Sequence, residues 1–206
     1  MSLHHLSLIL YTVSMTGRTH DLAAFTALGL SALSTPIDKI TLSTALVAVV
    51  ANMIGGIAPD IDQPTAPFWR NLPIGGVVGR TIAKLLGGHR FLSHSLIGVV
   101  AFAYGFRYLL NVIHPSFLQL DIGIIWWAFM IGFVSHLVMD TFTREGVPWL
   151  LPIPIKFGIP PFKLLRLPTG GFIERFIIFP GLLLFNGYFY YSNYSKLLDL
   201  LKHHLK

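Results

Sequence analysis

The sequence predicts an all-α fold: a polytopic membrane helix bundle of about four to five transmembrane helices with two long Pro/Gly-rich cytoplasmic loops. Composition is the first reason. Of 206 residues, 53% are hydrophobic and 12% charged, against about 25% charged in an ordinary soluble domain. Too few charges remain to coat a soluble surface, so lipid must cover much of the exterior. The second reason is that apolar residues gather into stretches near the roughly 20 residues that cross a bilayer as a helix. The third is a sharp charge difference between the connecting segments. The length allows one integral membrane domain, residues 1–206.

The stretches follow in order. Leu6 to Val13 is too short to cross and reads as an interfacial segment. Leu22 to Leu33 reads as a tilted or partly buried span. Thr41 to Ala58 is the first clear span, and Ser95 to Ile113 the second, with Arg107 placed to snorkel outward. Ile122 to Asp140 is the third. Phe176 to Tyr194 is the fourth, ending in interfacial aromatics Tyr188, Tyr190 and Tyr191.

Charge sets the orientation. The segment from Pro59 to His94 carries Arg70, Arg80, Lys84 and Arg90; that from Thr141 to Arg175 carries Arg144, Lys156, Lys163, Arg166 and Arg175. The turn from His114 to Asp121 has no Lys or Arg, and the turn from Ser34 to Ile40 has Lys39 offset by Asp38. The positive-inside rule places the two long segments in the cytoplasm. Lys196, Lys202 and Lys206 then fall outside, against the rule, unless the last segment is re-entrant. Prolines and glycines punctuate both long segments, which read as irregular, turn-rich loops. The net charge of +6 fits anionic lipid; no dense Lys/Arg run suggests nucleic acid. Met15-Thr16-Gly17 is a poor signal-peptide cleavage site. Oligomeric state is not legible.

Histidines and aspartates gather where the spans meet this face. His136 and Asp140, at i and i+4, share one helical face in apolar surroundings. An ionisable pair there is costly and a functional candidate; alone, it reads equally as a hydrogen bond between helices. Asp60 and Asp62 leave the first clear span together. Their repulsion would be relieved by a cation, although an extended backbone would aim them oppositely, so a turn or two ions is required. Alone, they read as solvated acids. His89 and His94 straddle the entry to the next span, with Arg90 suited to phosphate between them. Glu174, in the second long segment, lies on the same face, and His20 joins it if the Leu22 stretch crosses. His114 falls opposite, and His4, His5, His203 and His204 are terminal and incidental.

The candidate metal ligands are therefore His20, Asp60, Asp62, His89, His94, His136 and Asp140. Cysteine is absent, so a metal would be held by nitrogen and oxygen, which favours zinc, manganese or iron over calcium. Seven candidates exceed the four of a tetrahedral site, and two ions roughly 3.5–4 Å apart suit phosphoester hydrolysis. Glu174 or Asp62 is the candidate general base. Arg90, Arg18 or Arg144 is the candidate phosphate holder. Gly75-Gly76-Val77-Val78-Gly79-Arg80-Thr81 is not a P-loop, since Arg80 stands where Lys is required, and no His-Glu-x-x-His is present.

These motifs, in this order, resemble the YdjM-type family of membrane-bound, predicted metal-dependent hydrolases of bacteria and archaea. The matching residues are Thr19-His20, the run Gly55 to Asp62, His89-Arg90-Phe91-Leu92-Ser93-His94-Ser95, Ser135 to Asp140, Gly146 to Pro152, and Thr169-Gly170-Gly171 to Glu174. One departure is Phe91, where the family commonly has Gly. The resemblance implies a helical inner-membrane protein and a hydrolase. A more distant likeness to the all-helical zinc phospholipase C and P1 nuclease group implies phosphoester cleavage. The expected activity is metal-dependent hydrolysis of a membrane lipid or lipid-linked phosphoester at the cytoplasmic face, with zinc or manganese, one ion or two. The alternatives are a proton- or ion-coupled transporter and a non-catalytic metal-binding scaffold.

Overall fold

Two helix starts in this chain are capped by side chains. Thr41 Oγ1 accepts from the Thr44 amide at 3.1 Å, and Asp121 Oδ1 from the Ile124 amide at 3.0 Å, each satisfying a donor that the first helical turn leaves unpaired. The computed structural model describes residues 15–35, 40–66, 69, 71–113, 120–153 and 155–202. Among these the α-helices are α1 (Met15–Ser34), α2 (Leu42–Ile57), α3 (Gly75–Leu85), α4 (Leu96–Ile113), α5 (Ile122–Thr141), α6 (Phe179–Ser192) and α7 (Tyr194–Lys202). Short 3-10 turns cover Ala58–Asp62, Leu92–His94 and Lys163–Leu165, and a π turn covers Glu174–Ile178. No strand forms among the described residues; two isolated bridges, Thr143 with Leu167 and Val147 with Phe157, pin the loop after α5.

The all-α membrane bundle is therefore the observed architecture. Three described helices are long and apolar enough to cross a membrane: Leu42–Asp62, Leu96–Ile113 and Ile122–Thr141. The Leu22 stretch lies inside α1, 20 residues long. The Phe176 stretch is divided between the π turn and α6. Leu6 to Val13, His114 and the terminal histidines lie outside the described residues.

The tightest packing joins α2 and α5. A Cβ on Gly55 would sit 2.1 Å from the Phe129 carbonyl, and one on Gly132 2.1 Å from the Asn52 carbonyl. Only glycine lets the backbones approach so closely, as small residues do between membrane helices. Asn52 Nδ2 donates to the Ala128 carbonyl at 3.0 Å across this seam. On α5, Phe129 stacks on Phe106 of α4, and Phe133 packs at a tilt on Phe102. The far face of α4, including Val100, Tyr104, Tyr108 and Val112, is exposed, as a lipid-facing surface would be.

The first long segment differs from its sequence reading as a loop, because it contains α3. Gly75, Gly76 and Gly79 argue against a helix by propensity. Yet a Cβ on Gly75 would lie 1.8 Å from the Trp69 carbonyl, and one on Gly79 2.9 Å from the Trp69 ring. Tertiary packing against Trp69 requires Gly75 and Gly79, whereas a Cβ on Gly76 would meet nothing within 4 Å. Trp69 in turn donates Nε1–H to the Ile61 carbonyl at 3.0 Å, bracing the turn that carries Asp60 and Asp62.

Candidate metal centre

The ends of four helices converge to form the candidate site. The end of α2 runs into the Ala58–Asp62 turn, which carries Asp60 and Asp62. The Leu92–His94 turn that leads into α4 carries His94. The last turns of α5 carry His136 and Asp140, and the first turns of α1 carry His20. All of the expected ligands fall into three overlapping groups, each with donor atoms within 4.8 Å of one another: His20, His136 and Asp140; Asp60, His94 and His136; Asp60, Asp62 and His89.

His94 Nε2 and His136 Nε2 face two carboxylates in alternation. His94 Nε2 lies 3.9 Å from Asp60 Oδ1 and 3.4 Å from Asp140 Oδ2. His136 Nε2 lies 3.6 Å from each of the same two oxygens. Neighbouring ligand atoms of a tetrahedral zinc site are about 3.3 Å apart, given bonds of about 2.0–2.1 Å. His94 Nε2, His136 Nε2 and Asp140 Oδ2 are buried with no hydrogen-bond partner. Buried polar atoms are nearly always paired, so three orphans facing one point fit a cation. Asp60 is the member that reaches outward, its side chain 28% exposed.

His136 and His94 are each oriented by a contact on Nδ1, whereas His20 Nδ1 is buried without a hydrogen-bond partner. His136 Nδ1 sits 2.6 Å from the Gly56 carbonyl. A carbonyl only accepts, so Nδ1 carries the proton and Nε2 keeps its lone pair. The close approach of α2 and α5 at Gly55 and Gly132 brings that carbonyl within reach. His94 Nδ1 lies 3.3 Å from Asp62 Oδ2. Asp60 and Asp62 therefore bracket one imidazole from its two sides, which resolves their opposed directions: the backbone turns as a 3-10 helix. The His20 ring stacks on His136 with centroids 4.0 Å apart, and its Nε2 is 3.4 Å from Asp140 Oδ1.

Both carboxylate oxygens of Asp62 and both Nη atoms of Arg90 are hydrogen-bonded, while Arg90 Nε is buried without a hydrogen-bond partner. Asp62 Oδ1 pairs with His89 Nδ1 at 2.8 Å. Asp62 Oδ2 accepts from the Arg90 amide at 2.9 Å and from the Ser93 hydroxyl. Arg90 donates from Nη2 to Asp140 Oδ1 and from Nη1 to Thr143 Oγ1, both at 2.7 Å, and is buried. Its backbone takes the left-handed region, φ 56°, unusual for a residue with a side chain; that bend turns its amide and guanidinium toward two different aspartates. The ring of Phe91, which follows, covers Gly87.

Glu174 is buried in the π turn, outside the three ligand groups. Its Oε2 accepts from the Gly170 amide at 2.7 Å, and its Oε1 has no hydrogen-bond partner. The turn packs on α1, the helix that carries His20. Arg18 and Arg144 are exposed. Sequence reasoning missed Gly56, Ser93 and Thr143. Ser93, inside the His89–His94 motif, and Thr143, three residues past Asp140, were signalled only by proximity. The Gly56 role rests on a carbonyl, which residue type does not reveal.

Comparison with known proteins places this geometry in a family. The family described as YdjM inner membrane protein matches residues 15–193. An uncharacterized protein of Bacillus subtilis, YvsG, is 26% identical over 180 residues, covering 86% of this chain and 95% of that relative. The inner membrane protein YdjM of Escherichia coli is 32% identical over 121 residues, 59% of this chain and 56% of the relative; YdjM of Shigella flexneri matches to the same extent. No solved structure matches.

Proposed function

The chain belongs to the YdjM inner membrane protein family, and on that footing we propose that it is a metal-dependent hydrolase of phosphoesters working at the membrane surface. The observation that carries this reading is the convergence of buried, unpartnered His94 Nε2, His136 Nε2 and Asp140 Oδ2 beside the half-exposed Asp60. Imidazole and carboxylate without thiolate suit zinc or manganese. His94, His136, Asp60 and Asp140 are the primary ligands. His20 beside Asp140 marks the place for a second ion, whereas His89 and Asp62 are already hydrogen-bonded to each other. A divalent ion held here supplies Lewis acidity and a nucleophilic water at neutral pH.

The protein's own groups do the rest. Asp62, expected from the sequence as ligand or base, acts as a positioning residue: its Oδ2 accepts from the Ser93 hydroxyl, whose oxygen lies 2.9 Å from His94 Nδ1, and this aims His94 Nε2 at the cluster. Arg90 also acts by positioning, neutralising Asp140 while Thr143 holds its other arm. Charge on the substrate falls to exposed Arg18 and Arg144. Glu174, with its free Oε1 in a π turn, is the general base; such turns recur at functional sites. The positive-inside argument puts this face in the cytoplasm. Hydrolysis is preferred to transport because the ionisable groups gather at one end of the helices, not along them.

The test is elemental analysis of protein purified without chelator, followed by turnover on a phosphoester panel. Stoichiometric zinc or manganese with turnover lost on chelation is expected. Absence of metal would sink the reading, and metal without turnover would leave a binding scaffold.

A further inference from the structure

Beside the metal centre, an apolar groove of about 450 Å³ lies between α2 and α4, with Phe129 of α5 as its floor. Its position is set by the Ala58–Asp62 turn. In a 3-10 helix, residues three apart eclipse one another. Ala58 and Ile61 therefore share one face, and both line the groove. Asp60 and Asp62 leave the turn elsewhere, toward the histidines. One five-residue turn thus separates a metal cluster from an apolar channel.

We infer that this groove holds an acyl chain of the substrate while its phosphoester head lies at Asp60. The inference rests on the hydrolase reading of the site and names its substrate class: a membrane phospholipid or a similarly tailed phosphoester. All of the lining residues are apolar, and the walls belong to two of the helices long enough to span the membrane. Ile54, Ile57 and Leu109 at its edges are exposed, so the groove opens sideways to where bilayer chains already are. The most outward ligand of the metal cluster, Asp60, sits at the same turn. Gly105 leaves the groove wide: a Cβ there would meet nothing within 4 Å.

Gly105 supplies the test. The protein is reconstituted in phosphatidylglycerol nanodiscs containing phosphatidylglycerol with a mid-chain diazirine. Crosslinks are mapped by peptide mass spectrometry, and bound metal is counted in the same samples. Labelling is expected to concentrate on Ile54, Phe102 and Leu109 over outward-facing Tyr104 and Tyr108. In Gly105→Leu, groove labelling should fall by about tenfold, the value of roughly two buried methylenes, with outward labelling and metal unchanged. Replacing a helical glycine also favours the helix, and Gly105→Ala should label like the parent. Labelling spread evenly around α4, or unmoved by Gly105→Leu, overturns the groove. Loss of metal from the parent protein overturns the hydrolase reading instead, whatever the labelling.

Discussion

The two halves of the candidate site are built from the same residue types and behave differently. Around His94, His136, Asp60 and Asp140, ligand atoms face each other at 3.4–3.9 Å and three are unpartnered. Around Asp62, His89 and Arg90, both carboxylate oxygens and both guanidinium Nη atoms are hydrogen-bonded. An unpaired buried polar atom is costly, whereas a saturated one rigidifies its surroundings. On the proposed reading, the first half would receive a cation and the second would hold the first in place.

The sharpest way to break that contrast is His136→Ala. It removes a ligand whose other nitrogen is locked on Gly56, and loss of stoichiometric metal is expected by elemental analysis, with helicity retained by circular dichroism. Metal held as before would move the centre elsewhere.

Next in size is Gly132→Val. Its Cβ would meet the Asn52 carbonyl at 2.1 Å, forcing α2 and α5 apart. Overpacking costs about 1–3 kcal/mol, and separating the helices also withdraws the Gly56 carbonyl from His136. Lower thermal stability in detergent together with weakened metal binding is expected. Lower stability with unchanged affinity would uncouple the seam from the site.

Smallest is Asp62→Asn, which keeps shape but alters the partner of His94. Changes to such supporting groups typically lower metal affinity by about 10–100-fold. A competitive chelator titration should show that shift, with full occupancy at saturating metal. Stoichiometry reduced even at saturation would make Asp62 a ligand, not a support.

Much of this was legible in the sequence, and the particular residues show why. Three spans followed from apolar stretches of bilayer length, since hydropathy reports solvent directly. The i, i+4 spacing put His136 and Asp140 on one face, and alternating spans sent Asp60, His94 and His136 to a common end. Arg90 illustrates the limit. Its guanidinium reads as a phosphate holder from type alone, yet it spends its donors on Asp140 and Thr143. Helix α3 was hidden because its glycines count against a helix until Trp69 is known to lie on them.

Composition and hydropathy already define the class of molecule: a helical membrane protein with candidate nitrogen and oxygen ligands at one end and no cysteine. These are matters of composition and period, which need no partner to be read. The tertiary structure alone decided the division of labour within the cluster. Which imidazole nitrogen is free, which carboxylate is saturated, and which face of the Ala58–Asp62 turn meets the apolar groove all depend on atoms brought together from distant segments. The decisive contacts, Gly56 to His136 and Arg90 to Asp140, exist because glycines let helices touch and because one backbone bends into the left-handed region.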